Sequence, residues 1–314
     1  MRSRSILLLV AAITLPASAA APVQGDKEAS RAIVIGWSFD VGAPTLGSNR
    51  RINVYLPEHY ADPTRKFRVL FLLDGGEKED FQHIAALAQI TAANGEGDEM
   101  IVVGIEGVDR RHDLTSPSTL ASDLKAAPTS GGSAAYLRFL RDDLKPWVDA
   151  RYRTSGRTAI IGESLAGLFV LHALLDRPDS FDDYIAISPS LWWNGGHVID
   201  ETTAAMTRSS FAGKRLWVAF EVPPPPAAEA QKDVARQAAL RAALGRAQGN
   251  GLHWTAVNVD EGHRSVYHPA AWQALRALYA LPSSASGGPP KLTPAPRATP
   301  ATAIRRSTPA HRAG

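Results

Sequence analysis

The stretch that decides the fold is Ala159-Ile160-Ile161-Gly162-Glu163-Ser164-Leu165-Ala166-Gly167-Leu168-Phe169. A short apolar strand is followed by a small-Xaa-Ser-Xaa-small turn and then by an apolar helix. This layout is typical of a nucleophile elbow, a tight strand-to-helix turn that projects the serine Oγ from the top of a sheet. Gly162 and Ala166 supply the small residues that such a turn needs, although the usual motif has glycine in place of Ala166. The alternative is an ordinary βα turn whose serine caps the helix.

Apolar strands and amphipathic helices alternate on both sides of this stretch. Segments 69–73 and 101–105 are almost continuously apolar, which is typical of parallel strands buried on both faces. Segment 51–56 alternates with period two, as an early antiparallel strand would. We predict further strands and helices at the following positions: strands at 158–161, 184–187, 216–220 and 254–259, and helices at 81–90, 134–148, 165–175, 229–246 and 269–281. Repeated βα units predict a three-layer α/β sandwich around a mostly parallel sheet, with ligand chemistry at the carboxyl ends of its strands.

Both ends of the chain are predicted to lie outside the α/β domain, which we place at 30–282. A basic start, an apolar run at 6–15 and a small-Xaa-small site at 17–19 predict a cleavable signal peptide over 1–20. Segment 283–314 is rich in Pro, Ala, Ser, Thr and Arg and is predicted to be a disordered tail. The mature protein is therefore expected to be exported to the periplasm or the extracellular space, with no stable membrane span.

Composition excludes several classes of function. The 314 residues include no cysteine, so disulfides, thiolate metal sites and thiol catalysis are excluded. The formal net charge is +3, but seven of the 34 basic residues fall in the predicted signal peptide and tail, which leaves 27 bases against 31 acids in the rest of the chain. Because the domain itself is slightly acidic, no nucleic-acid partner is expected.

An activated serine needs a base, and an elbow of this kind is usually completed in the chain order serine, acid, histidine. Three of the nine histidines, His253, His263 and His268, lie in the last part of the domain. His263 falls in a loop between the last predicted strand and the last predicted helix, and such a loop can return an imidazole to the serine. We therefore predict His263 as the base; the alternative is a surface histidine bonded to Asp260 or Glu261.

The acid of the predicted triad should follow the strand at 216–220. Glu221 is the first residue there, and its carboxylate would accept the Nδ1–H of the histidine and stabilise the imidazolium. Glu229 and Asp233, which follow a run of four prolines, remain open as alternatives. Glu221 could equally be a solvated carboxylate at the end of a strand.

Two backbone amides are predicted to form the oxyanion hole. The helix that begins after Ser164 directs the N–H of Leu165 toward an oxyanion. The second amide is expected where the apolar segment 71–73 ends at Asp74, Gly75 and Gly76, since glycines let the backbone approach a substrate carbonyl closely. Gly76 is the preferred donor and Gly75 the alternative. If neither glycine has a catalytic role, the segment is a plain strand-to-loop turn.

Together these segments resemble the branch of the α/β-hydrolases that contains esterase D and the enterobactin, salmochelin and bacillibactin esterases. The resemblance covers about residues 33–281 and rests on several short motifs in the right order: RRINVYLP at 50–57, LLDG at 72–75, VVGI at 102–105, DRRHDLT at 109–115, GESLAG at 162–167, SPSLWW at 188–193 and HRSV at 263–266. It implies an α/β-hydrolase sandwich with Ser164 as nucleophile, His263 as base and Gly76 as an oxyanion donor. It also implies no metal and no organic cofactor for catalysis.

This chain departs from the family pattern where the acid is expected. Relatives usually have a glycine-containing loop after the sixth strand, whereas Phe220-Glu221-Val222 runs directly into prolines here. Some siderophore esterases of the group work with little contribution from the acid, so a Ser164/His263 dyad stays open.

Several side chains near predicted strand ends are candidate substrate contacts. Trp193, and less so Trp192, could stack an aromatic acyl group or could simply fill the core of their loop. Arg110 and Arg111 could hold an anionic or catecholate substrate. A salt bridge from one of these arginines to Asp109 or Asp113 is an equally good interpretation.

The sequence therefore predicts a secreted serine hydrolase that cleaves a small-molecule carboxylic ester through an acyl-enzyme, with a siderophore trilactone as one substrate class. An acyltransferase on the same scaffold is the nearest alternative, and a non-catalytic ligand-binding homologue is the alternative from another class. A metallohydrolase based on Asp260, Glu261 and His263 is remote, because no His-Glu-Xaa-Xaa-His spacing exists. The sequence does not indicate an oligomeric state.

Overall fold

A single eight-stranded sheet runs through the part of the chain described by the computed structural model, residues 32–208, 210–222, 228–247 and 249–281. Its strands lie in the order β1-β2-β4-β3-β5-β6-β7-β8. Strand β2 is antiparallel to β1 and β4, and the other neighbours are parallel. The strands span Trp37–Ala43, Ser48–Tyr55, Phe67–Leu73, Met100–Ile105, Thr154–Glu163, Asp183–Ile187, Arg215–Glu221 and His253–Val259 for β1 to β8. The mostly parallel sheet predicted from the sequence is confirmed.

Helices connect most of these strands. Nine α-helices lie in the described residues, and α1 to α9 span Phe81–Ala93, Arg110–Asp113, Ala121–Ala126, Ser133–Arg138, Lys145–Asp149, Leu165–Asp176, His197–Arg208, Ala228–Leu244 and Tyr267–Tyr279. A π-helical turn at Phe139–Leu144 joins α4 to α5, so the helix predicted at 134–148 is continuous but wider in its middle. None of the described helices is long and apolar enough to cross a membrane.

The sequence prediction missed two of the longer elements, β1 and α7. Strand β1 contains Asp40 and Gly42 and exposes alternate residues at the edge of the sheet, so its apolar signal is weak. Helix α7 is mostly polar and carries three threonines, which have low helix propensity. Packing against the rest of the domain therefore decides both elements more than local preference does.

Apolar layers cover both faces of the sheet, as a three-layer sandwich requires. Strand β3 shows the alternation most clearly: Phe67, Val69, Phe71 and Leu73 belong to one buried cluster, while Leu70 and Leu72 belong to the other. Helices α1 and α9 cover the second cluster, and α6 and the π-helical turn cover the first. Because strand side chains alternate between faces, a continuous apolar run marks a strand buried on both sides.

The predicted signal peptide at 1–20 and the predicted tail at 283–314 lie outside the described residues. The described residues from Gly36 to Leu281 belong to one compact unit, and the described residues before it, 32–35, have no regular secondary structure. The predicted domain limits of 30–282 stay a prediction.

The turn between β5 and α6 needs the small residues that the sequence pattern indicated. A Cβ atom on Gly162 would lie 2.6 Å from the Cβ of Ala166 and 2.8 Å from its carbonyl carbon. The second of these atoms belongs to the backbone of α6, so it cannot rotate away. Gly162 therefore sets how closely the helix approaches the strand.

Replacing Gly162 by alanine is expected to lower the free energy of unfolding by about 2 kcal/mol, because the added methyl group must push α6 away from β5. Gly42→Ala is the matched control, since a Cβ there meets nothing within 4 Å, and it should change stability by less than about 0.5 kcal/mol. Urea unfolding followed by circular dichroism measures both. Equal stability of the two variants would contradict the close approach.

Candidate active site

Backbone strain is concentrated at the carboxyl ends of three neighbouring strands. Asp74, Ser164 and Ser188 directly follow β3, β5 and β6, and their φ angles are 51°, 60° and 42°. Residues other than glycine rarely adopt positive φ, and such conformations cost about 1–3 kcal/mol each and cluster at functional sites. The strain therefore marks this edge of the sheet as the candidate site.

Ser164 occupies the predicted turn between β5 and α6. Its N–H donates to Ile187 O on the adjacent strand at 3.0 Å, and its carbonyl accepts from Leu168 N at 2.9 Å in the first turn of the helix. The backbone is thus fixed on both sides of the residue. This arrangement leaves the side chain to project over the end of the sheet, where it lines a cavity.

His263 and Glu221 complete a hydrogen-bonded chain with this serine. His263 lies in the loop after β8, and its Nε2 is 3.2 Å from Ser164 Oγ. Its Nδ1 is 3.3 Å from Oε1 of Glu221, the last residue of β7. Asp233, an alternative acid, instead pairs with Arg236 on α8 at 2.8 Å. The structure thus brings Ser164, His263 and Glu221 together, although their catalytic roles stay predictions.

Ser188 adds a second partner for the imidazole that the sequence analysis did not identify. Its Oγ lies 2.8 Å from His263 Nδ1, and its hydroxyl also donates to Glu221 Oε2. A hydroxyl that donates to the carboxylate can accept Nδ1–H at the same time, which leaves Nε2 as the acceptor facing Ser164. The sequence feature that could have identified Ser188 is its position directly after β6, the strand beside the elbow.

Ser190 is a further side chain that the sequence analysis did not select. Its Oγ is 3.2 Å from Ser164 Oγ, and its N–H donates to Ser164 O at 3.0 Å. Ser190 is 4% exposed and lines the same cavity as Ser164. Ser190 therefore contacts Ser164 through both its side chain and its backbone, and it links the loop after β6 to the elbow.

Two carboxylates with different environments flank the imidazole. Burial opposes ionisation of Glu221, but hydrogen bonds from His263 and Ser188 outweigh it and lower the pKa of Glu221. Glu163 lies on the other side, with Oε1 3.5 Å from His263 Nε2. Burial raises the pKa of Glu163 to about 7. The hydrogen bond to Glu221 and the charges of both acids raise the pKa of His263 against the effect of its own burial.

The two predicted oxyanion donors differ in their surroundings. Leu165 N–H belongs to the first turn of α6, where amides have no acceptor within the helix, and Leu165 lines the cavity. Gly76 N–H instead donates to Glu79 Oε2 at 2.7 Å, and Gly75 N–H donates to Ile105 O at 2.8 Å. Gly76 can therefore serve an oxyanion only when Glu79 releases its amide.

A cavity of about 310 Å³ opens above Ser164 and His263. Its remaining walls combine apolar and polar side chains: Arg110, Arg111, Ala126, Ala127, Leu165, Ser190, Trp192 and Trp193. A second cavity, of about 230 Å³, lies where β4 begins and contains none of the predicted site residues. The cavity above Ser164 and His263 is therefore the candidate substrate site, because the predicted site residues line it.

The four predicted substrate contacts all line this cavity but are held differently. Trp193 is 1% exposed and donates its indole N–H to Ser116 O at 3.1 Å, so it forms the core of its loop. Trp192 is 40% exposed and offers its ring to a ligand. Arg110 is held by Asp74 at 2.7 Å, not by the acids near it in sequence, whereas Arg111 is exposed.

We expect Glu163→Gln to move the acid limb of kcat/KM to lower pH. His263 must be neutral to accept a proton, and the negative charge of Glu163 helps to raise its pKa. The glutamine removes that charge, so His263 loses its proton at lower pH. In the wild type, the limb reports the coupled titration of His263 and Glu163 and should lie above pH 6.5.

The matched control is Glu201→Gln, which makes the same chemical change where the carboxylate pairs with His172 and His197 instead of His263. Its pH profile should coincide with that of the wild type. If the acid limb of kcat/KM in Glu163→Gln stays in place or moves to higher pH, Glu163 does not control the ionisation of His263.

Comparison with known proteins agrees with this architecture. Residues 43–275 match the model of the family described as "Putative esterase". The ferri-bacillibactin esterase BesA of Bacillus subtilis is 30% identical over 171 residues, which are 49% of this chain and 58% of that protein. The siderophore triacetylfusarinine C esterase of Aspergillus fumigatus is 33% identical over 179 residues, which are 52% of this chain and 58% of that protein. These matches thus span little more than half of each relative.

Solved structures show the same fold. An IroE-like serine hydrolase from Shewanella oneidensis superposes with a TM-score of 0.71 at 26% identity and covers 78% of this chain and 80% of its own. The siderophore hydrolase EstB from Aspergillus nidulans superposes with a TM-score of 0.64 at 23% identity, covering 81% and 97% of the two chains. The predicted resemblance and the α/β-hydrolase fold are confirmed. Since the family model spans most of the chain, the chain belongs to the family described as "Putative esterase".

Proposed function

We propose that this protein hydrolyses carboxylic esters through a covalent acyl-enzyme on Ser164. The observation that carries the proposal is the chain of hydrogen bonds from Ser164 Oγ through both nitrogens of His263 to Glu221 and Ser188. Such a chain activates a hydroxyl and fixes the tautomer of the base. A non-catalytic binding homologue would have no need of this arrangement.

The proposed reaction begins when Ser164 Oγ attacks the ester carbonyl carbon and His263 Nε2 takes the hydroxyl proton. Glu221 and Ser188 hold Nδ1–H and stabilise the imidazolium that forms. Leu165 N–H stabilises the oxyanion, and Gly76 N–H joins it once Glu79 has moved away. His263 then returns the proton to the departing alkoxide, and the ester bond breaks.

Water completes the proposed cycle by hydrolysing the acyl-enzyme, with the same catalytic groups. His263 removes a proton from the water molecule as it attacks the acyl carbon, and the resulting intermediate collapses with return of the proton to Ser164 Oγ. The acid is released and the serine is regenerated. The positive charge that appears transiently on His263 lies between Glu221 and Glu163, so both carboxylates favour it.

A siderophore ester is the proposed substrate class. Of the two curated relatives reported above, one is named a ferri-bacillibactin esterase and the other a siderophore triacetylfusarinine C esterase. In this chain the exposed ring of Trp192 and the exposed guanidinium of Arg111 line the cavity around Ser164. An aromatic ring and a cation suit a substrate with flat, electron-rich acyl groups. Export of the protein through the signal peptide predicted at 1–20 is part of the same proposal.

Ser164→Ala is expected to lower kcat for a p-nitrophenyl ester at least a thousandfold, because the substitution removes the oxygen that forms the proposed acyl-enzyme. A fluorophosphonate probe should label the wild type at Ser164, as located by peptide mass spectrometry, and should not label Ser164→Ala. Ser190→Ala is the matched control, since its hydroxyl lies 3.2 Å from the same oxygen, and it should still be labelled at Ser164. Retained turnover in Ser164→Ala would overturn the proposed mechanism.

Trp192→Ala is expected to raise KM about tenfold for an aromatic trilactone and to leave hydrolysis of p-nitrophenyl acetate unchanged, because loss of a stacked ring costs about 1.4 kcal/mol of binding. Steady-state kinetics with iron-free and ferric catecholate lactones measures the effect. Trp272→Ala, which removes a similarly exposed tryptophan from α9, serves as the control. An equal rise in KM for the aromatic trilactone and for p-nitrophenyl acetate would argue against a contact that is specific to the trilactone.

A further inference from the structure

Three metal-ligating side chains meet where α1 and α9 begin. Asp80 immediately precedes α1, His83 lies in its first turn, and His268 lies in the first turn of α9. His268 Nε2 is 2.8 Å from Asp80 Oδ1, and His83 Nδ1 is 3.2 Å from the same oxygen. One potential ligand atom from each residue lies within 4.8 Å of the other two. Within the described ranges this is the one such group of three.

We propose that Asp80, His83 and His268 bind a divalent transition-metal ion, with Zn²⁺ as the representative ion. Two imidazole nitrogens and one carboxylate oxygen are ligands that zinc and its neighbours in the first transition series accept. The site is separate from the proposed triad, and it does not depend on the proposed ester hydrolysis.

The spacing of the ligand atoms fits such an ion. Metal–ligand bonds of about 2.1 Å that meet at 90–110° place neighbouring ligand atoms about 3.0–3.4 Å apart. The two distances to Asp80 Oδ1, 2.8 and 3.2 Å, are close to this range. The histidine nitrogens are within 4.8 Å of each other, so a modest rotation of His83 or His268 would bring all three atoms onto one ion.

The surroundings of these three side chains allow a metal ion to enter and its positive charge to be offset. The side chains of Asp80, His83 and His268 are 28%, 61% and 44% exposed, which leaves room for water molecules as additional ligands. The rings of the two histidines meet edge to face at 4.8 Å between centroids, and the ring of Tyr267 stacks on His268. Asp74 lies near enough to Asp80 for their carboxylate charges to interact, but the guanidinium of Arg110 pairs with Asp74 at 2.7 Å. Asp80 is therefore the ligand whose negative charge offsets that of the ion.

Without a metal, one carboxylate oxygen of Asp80 accepts from both imidazoles. An ion would satisfy all three side chains together. It would also join two segments that lie 188 residues apart in sequence. Asp80 follows the loop that carries Gly76, and His268 follows the loop that carries His263. The ion would therefore tie the oxyanion loop to the loop of the base.

The first test measures zinc binding to the full-length, tag-free protein by equilibrium dialysis and calorimetry with ZnCl₂. We expect one ion per chain and at least a tenfold weaker affinity in His83→Ala and in His268→Ala. His197→Ala is the matched control, because His197 is 54% exposed and pairs with Glu201 on α7, and its affinity should equal that of the wild type.

The second test is thermal unfolding, which does not depend on enzymatic activity. Zinc at a hundredfold excess over its dissociation constant should raise Tm by about 5 °C or more in the wild type and in His197→Ala. The shift should be lost in His83→Ala and His268→Ala. Absence of binding at millimolar zinc, or affinity unchanged in both of these variants, would overturn the site. Binding that is lost in His263→Ala instead would assign the ion to the triad residues and overturn it as well.

Discussion

The candidate site depends on how closely α6 approaches the end of β5. With no side chain at Gly162 and only a methyl group at Ala166, the chain reverses from strand to helix within one residue. Ser164 must then adopt a φ of 60°, and the cost of that conformation is offset by the hydrogen bonds on both sides of it. The position of Oγ, the first amide of α6 and the distance to His263 all follow from this turn.

The strands beside β5 bring the remaining groups to the same edge. Strand β6 ends at Ser188, β7 ends at Glu221, and the loop after β8 supplies His263. Because neighbouring parallel strands end at the same side of a sheet, residues up to 99 positions apart in sequence meet there. The imidazole then lies between one acid with a lowered pKa and one with a raised pKa. Similar carboxylates thus acquire different chemistry from their environments.

Much of the architecture could be predicted from local pattern. Each of the seven predicted strands and five predicted helices corresponds to an element of the structure, because continuous apolar runs and helical periodicity report burial directly. Strand β1 and helix α7 escaped prediction because their residues are polar or have weak intrinsic preference. The order of the strands in the sheet could not be obtained from local pattern. The apolar pattern of a strand reports which of its faces are buried, but it does not identify the neighbouring strands.

The sequence by itself determined the turn at Ser164, because the strand, the small residues and the helix that define it are contiguous. It also narrowed the predicted base to His263 and left the predicted acid open. Only the tertiary structure decided that Glu221 and Ser188 share the imidazole, that Glu163 faces its other nitrogen and that Trp193 is buried while Trp192 is exposed. Those relations join different strands and loops, and a linear pattern carries no information on distances that the packing of the sheet creates.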